Sequence, residues 1–189
     1  MRDRVKLSGL LLRSTLSTLS RAKMISDIIV VSNDVRAKRI AKMHAALFLD
    51  EGNSVGVNNA VTIANNYSDE AGADATIVVP QDLPLVVSDD IDMVCNYAKE
   101  YHKCLVICPS VRYDGSNVLL RKPPKLIESL YENNSFDMHV KAAKKVGAEI
   151  KIFLSKRMMR DLDTVQDAEY LAKVRTSCAP IVYLRSKMQ

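Results

Sequence analysis

Short apolar runs alternating with stretches of helical spacing limit what this chain can fold into more than any other feature. The first, Asp27-Ile-Ile-Val-Val31, contains no polar alternation after its aspartate, as expected of a strand buried on both faces of a sheet covered by helices. The second, Ala75-Thr-Ile-Val-Val79, stops at Pro80, and Asp82 follows with Pro80 and Pro84 on either side. Helical spacing predicts helices over residues 5–19, 35–43, from about 57 to 68, and 91–101, the last capped by Ser88 or Asp89. Further strands are expected at 46–49 and 105–108. Residues 117–121 form another, joined to 105–108 by a link too short for a crossover helix, so these two run antiparallel. A short helix over 125–130, a longer one over 136–146 capped by Ser135, a strand over 149–154 and a last helix opened by an Asp163 or Thr164 cap complete the order. The closing Arg185-Ser-Lys-Met-Gln189 reads as a solvated basic tail. The pattern is that of an α/β fold with a mixed, mostly parallel sheet, and 189 residues suit a single domain over 1–189.

Composition removes several function classes. No apolar run approaches the ~20 residues of a membrane span, so no membrane partner is expected. Cys95, Cys104, Cys108 and Cys178 form no Cys-x-x-Cys pair, which argues against a disulfide framework or zinc knuckle and suits a reducing cytoplasm. The net charge of +5 comes with only 5% aromatic residues and no Lys/Arg run longer than two, so phosphorylated small molecules explain it at least as well as nucleic acid. His44, His102 and His139 share no metal-ligand spacing. Gly-x-Ser-x-Gly, Gly-x-Gly-x-x-Gly and Walker-type motifs are absent.

The chemistry-bearing candidates are acids that follow strands: Asp50, Glu51, Asp82 and Asp163. Parallel strands deliver their carboxyl-terminal loops to one edge, where acids distant in sequence can converge and hold a magnesium ion with help from substrate phosphates. Ordinary turn and helix-start chemistry would also account for Asp82 and Asp163. Two stretches could cradle an anion: the turn Asp114-Gly-Ser-Asn117, and the helix start Ser135-Phe-Asp-Met-His139.

Taken in order, Asp50-Glu51 with Gly56-Val-Asn-Asn-Ala60, Asp82-Leu-Pro-Leu85, Asp114-Gly-Ser-Asn117, Ser135-Phe-x-x-His139 and Asp161-x-Asp-Thr-x-x-Asp167 resemble one family. It is that of the guanylyltransferases which activate 2-phospholactate or phosphoenolpyruvate during biosynthesis of the deazaflavin coenzyme F(420). The resemblance implies a three-layer, GT-A-like nucleotidyltransferase fold and guanylyl transfer from GTP to a small phosphorylated acid, with pyrophosphate released. It also implies that Glu51, Asp82 and Asp163 hold Mg²⁺, with Asp82 and Asp163 catalytic. Ser116, Asn117 and Ser135 would bind the acceptor, and Gly56, Asn58 and Asn59 would lie near the nucleotide. A nucleotidyltransferase with another acceptor, or an inactive binding protein of the same fold, are the alternatives, and a second copy of the chain is a candidate partner. Two departures stand out. The family opens with a strand and a basic loop ahead of its first helix, whereas Met1 falls at about that helix, so that strand and its lysine are not expected here. At Tyr131-Glu-Asn-Asn-Ser135 the family tends to carry glycines, and Glu132 adds a negative charge.

Overall fold

The computed structural model describes residues 2–53 and 56–188. A long first helix, α1 (Arg2–Leu19), precedes β1 (Ile29–Val31), α2 (Val35–Met43), β2 (Leu47–Leu49) and α3 (Val57–Glu70). Then follow β3 (Thr76–Val78), α4 (Ser88–Ala98), β4 (Cys104–Pro109), β5 (Ser116–Lys122), α5 (Ser135–Lys145), β6 (Glu149–Ile152), α6 (Val165–Lys173) and α7 (Ala179–Lys187). β1 and β2 pair in parallel, and the other strands form a sheet of order β3-β5-β4-β6. Both β3 and β4 are antiparallel to β5, and β6 is parallel to β4, so only β5 opposes the common direction. That is the intrusion expected from the short 109–116 link.

β4 and β5 are buried on both faces, and their alternate residues divide the core into two layers. Val106, Val118 and Leu120 pack under Ile91, Val94 and Ala98 of α4 together with Met158. Leu105, Ile107 and Leu119 pack on the opposite face against Ala143 of α5 and the anchors Leu126 and Ile127. α3 lies against both β1 and β3, while α1 packs on α2, α4 and α7. Among the described residues no strand joins β1 to β3; a cavity of about 2060 Å³ lies there, lined by Ile28–Val31 and Ala75–Val79 along their length. The opening strand implied by the family resemblance has no counterpart among the described residues.

Several local expectations are corrected. Residues 125–130 are not helical: Pro123 and Pro124 remove backbone donors, and a turn from Leu126 N–H to Pro123 O lets Leu126 and Ile127 point inward. α4 begins at Ser88 itself, and it is Asp90 that reaches back, accepting the Val87 N–H at 3.2 Å. α5 starts from Asn134 in the left-handed region (φ 57°) with no side-chain cap, so Ser135 is free for another task. Thr164 caps α6 through a reciprocal bond with Asp167, which leaves Asp163 outside the helix. The supposed tail is helix α7, whose Arg185 donates to Ala172 O (3.0 Å) and Val174 O (2.7 Å) and closes the carboxyl end of α6.

Candidate active site

The topology places the candidate residues before any side chain is considered. β3, β4 and β6 run the same way, so the loops after them leave one edge of the sheet, and because β5 is reversed its first residue, Ser116, lies on that edge too. Asp82 leaves β3 there. The segment carrying Asp161 and Asp163, beyond β6, is tied to it by a hydrogen bond from Leu162 N–H to Asp82 O at 3.0 Å.

Two of the carboxylates gathered here, Asp82 and Asp161, are perturbed by burial and by neighbouring charge. Burial, then the charge of Asp163 and then that of Asp161, push Asp82 up to about 6. Asp161 is likewise raised, by burial first and Asp163 second. Two acids so distant along the chain, Asp82 and Asp163, therefore do meet at one rim. Asp161 joins them, a residue that reading the sequence left out of the cluster. Its signal was the Asp-x-Asp spacing in an extended segment, which points both side chains to one side. Glu51 leaves β2, in the separate two-stranded sheet, where Asp50 Oδ1 accepts the Gly52 N–H at 2.9 Å. Among the described residues no three His, Cys, Asp or Glu side chains close into a metal-holding group. The donor set of Asp82, Asp161 and Asp163 nonetheless suits a hard divalent cation. It consists of oxygens alone, and its members suffer a mutual repulsion that a cation would relieve, with one or two protein carboxylates sufficient for magnesium.

Beside the acids lies a buried polar cluster. Ser116 N–H donates to Ser135 Oγ (2.8 Å), Ser135 Oγ lies 3.2 Å from Ser116 Oγ, and His139 Nδ1 lies 2.9 Å from the same oxygen. Leu130 N–H donates to His139 Nε2 at 3.0 Å. Burial, reinforced by the charge of Arg121, pushes His139 down to about 4, so the ring is neutral. Arg121 is fully buried: its Nη2 reaches Ser129 Oγ at 3.4 Å, while Nε and Nη1 have no partner among the described residues. Asn117 belongs to the framework of the site, because its amide donates to Met158 O at 2.9 Å and so anchors the loop that leads to Asp161. In the link between β4 and β5, Asp114 accepts from Ser110 Oγ (2.7 Å) and Arg112 Nε (3.0 Å), which shapes the turn before Ser116.

At the amino end of α3, Gly56 has φ 97°, a conformation that a side chain would strain. Asn58 Oδ1 accepts the Tyr131 N–H at 2.7 Å and so links the start of α3 to the loop before Ser135; Asn59 is half-buried in the same turn. Residues 54–55 lie outside the described residues.

A family model described as "Guanylyl transferase CofC like" matches residues 6–180. The chain belongs to this family. Among curated relatives of the guanylyl transferase family, the phosphoenolpyruvate guanylyltransferase of Thermobaculum terrenum is 31% identical over 177 residues, covering 92% of this chain and 74% of that protein. The 2-phospho-L-lactate guanylyltransferase of Methanocaldococcus fervens is 31% identical over 157 residues, 83% of this chain and 69% of that one. Solved structures agree on the fold. A putative nucleotide-diphospho-sugar transferase from Desulfovibrio desulfuricans G20 superposes with a TM-score of 0.79 at 15% identity, covering 99% of this chain and 84% of its own. A 4-diphosphocytidyl-2C-methyl-D-erythritol synthase gives 0.64 at 14% identity, covering 85% and 88%. The GT-A-like nucleotidyltransferase architecture expected from the motifs is therefore the fold of this family member.

Proposed function

We propose that this chain transfers a guanylyl group from GTP to phosphoenolpyruvate or 2-phospho-L-lactate, a step in F(420) biosynthesis. The observation that carries the reading is the crowding of Asp82, Asp161 and Asp163 on the rim that also carries Ser116 and Ser135. An acceptor phosphate oxygen forms a bond to the α-phosphorus of GTP as the bond to the β-phosphate oxygen breaks, and pyrophosphate departs with the electron pair. The attacking oxygen is already an anion, so no base is required, which suits a site whose one buried histidine is neutral. Catalysis then rests on positioning and charge compensation. Asp82 with Asp163 or Asp161 would hold Mg²⁺, which would supply positive charge to offset that of the phosphorylated reactants; Glu51 is a further candidate ligand from the neighbouring sheet. Ser116 and Ser135 hold the acceptor, and Gly56, Asn58 and Asn59 form the turn that faces the nucleotide.

Pyrophosphate release with GTP and each acceptor in turn tests the reading. Asp82→Ala is expected to abolish it; release undiminished in that variant would refute the assignment, and release with a different acceptor only would move the chain to another nucleotidyl transfer. Four free thiols fit a reducing cytoplasm, and no helix among the described residues is long and apolar enough to cross a membrane. A homodimer is part of the same reading, supported by exposed Met93, Tyr97, Ile152 and Leu154 beside the free edge of β6. Sedimentation at the 21.1 kDa chain mass would remove it.

A further inference from the structure

The hydrogens of the buried cluster can be assigned one by one. Leu130 N–H donates to His139 Nε2, so that nitrogen carries no proton. The ring is fully buried, packed edge-on against Tyr131 with ring centroids 4.9 Å apart, and the charged group that faces it is Arg121. A neutral imidazole with a bare Nε2 bears its proton on Nδ1, which has Ser116 Oγ at 2.9 Å and the Ser135 backbone as its partners. The reverse polarity would set an Nε2–H against the Leu130 N–H. Ser135 Oγ accepts the Ser116 N–H and directs its own hydroxyl hydrogen to Ser116 Oγ. Both lone pairs of Ser116 Oγ are thereby taken. Its own hydroxyl hydrogen remains, and among the described residues no acceptor faces it, although Ser116 is only 7% exposed.

We infer that His139 is a positioning residue that makes Ser116 an obligate hydrogen-bond donor to an anionic phosphate or carboxylate oxygen of the acceptor. The chain of bonds runs from the Leu130 backbone through the imidazole to the Ser116 hydroxyl and has one direction. A group that must itself donate, such as an alcohol or amine, finds no lone pair there; an oxyanion supplies what is lacking. The ligand half of this inference rests on the proposed function, whereas the direction of the bonds does not.

Two substitutions divide the two ends of the imidazole. His139→Gln offers an oxygen near the Nε2 position and keeps a partner for Leu130 N–H, but loses the donor to Ser116. His139→Asn offers an amide N–H near Nδ1 and leaves Leu130 unpartnered. Loss of one polar contact to a charged group predicts a rise of about ten-fold in the acceptor KM for His139→Gln with the GTP KM unchanged. His139→Asn should keep the acceptor KM close to that of the unaltered protein while lowering the melting temperature. Acceptor KM values that rise equally in both variants, in step with lost stability, would overturn the assignment. Nitrogen-15 NMR of the full chain needs no turnover: Nδ1 is expected to be protonated and Nε2 bare, with the Nδ1 resonance moving on addition of phosphoenolpyruvate or inorganic phosphate. A protonated Nε2, or no response to either anion, would refute it. A response to the anions without pyrophosphate release would uphold the inference while removing the proposed function.

Discussion

Replacing Asp82 with asparagine should make the protein more stable at neutral pH while abolishing its activity. In the folded chain the carboxyl is pushed from the usual 3.8 up to about 6. That rise corresponds to about 3 kcal/mol of preference for the protonated form. Between 3.8 and about 6 the native state therefore binds more protons than the unfolded chain, and stability falls as pH rises through that window. Above it the full penalty of an ionised, half-buried Asp82 beside Asp163 and Asp161 is in place. Asparagine keeps the shape and removes the charge, so Asp82→Asn should gain up to about 3 kcal/mol at pH 7 and nothing near pH 3. In a domain of this size that is about 6–12 °C in melting temperature. Urea unfolding of both proteins at half-unit steps from pH 4 to 8 gives the difference curve, in which the other carboxylates cancel. Magnesium should raise the melting temperature of the unaltered protein at pH 7 and leave Asp82→Asn almost unmoved. A variant equal to or less stable than the parent at pH 7, with a flat difference curve, would refute the account of three mutually repelling acids.

Two further substitutions probe the frame around the site. Asp90 is 2% exposed and receives both Arg157 Nε (2.7 Å) and Nη2 (2.6 Å), so Arg157→Ala should leave a buried carboxylate with only its Val87 N–H partner and cost about 3 kcal/mol in urea unfolding. A loss under about 0.5 kcal/mol, typical of a surface pair, would show that water replaces the guanidinium. Asn117→Ala removes the amide that anchors Met158 O and should cost about 1–3 kcal/mol, while lowering kcat through the displaced Asp161–Asp163 loop; reduced stability with unchanged kcat would separate that loop from the chemistry.

What the sequence could reveal follows the range of the forces involved. Helices α1, α2 and α3, strands β3 to β5 and the reversal of β5 were legible because periodicity and link length are local properties. Helix α7 was not: its polar ends, Arg185 among them, look like tail until their partners on α6 are in place. Ser135 was read as a helix cap because that is what such residues do next to a helix, yet Asn134 takes that position; of the two caps expected for α6, Asp163 or Thr164, the structure uses Thr164, and Ser135 and Asp163 are both left toward the site. The 125–130 segment read as helix because its apolar residues fit the spacing, and packing of Leu126 and Ile127 on the sheet prevailed.

The sequence by itself determined an alternating α/β chain, its one reversed strand and the ordered motifs that mark a guanylyl transferase of this family. Tertiary structure decided which acids meet, that Asp161 joins Asp82 and Asp163, and that Asn117 and Asn58 brace the site. It also decided which way the hydrogen bonds of His139 run, and that a cavity separates β1 from β3. The physical reason is distance: hydrophobic period and turn chemistry act over a few residues, whereas electrostatic repulsion and donor direction act between atoms brought together only when the sheet is assembled.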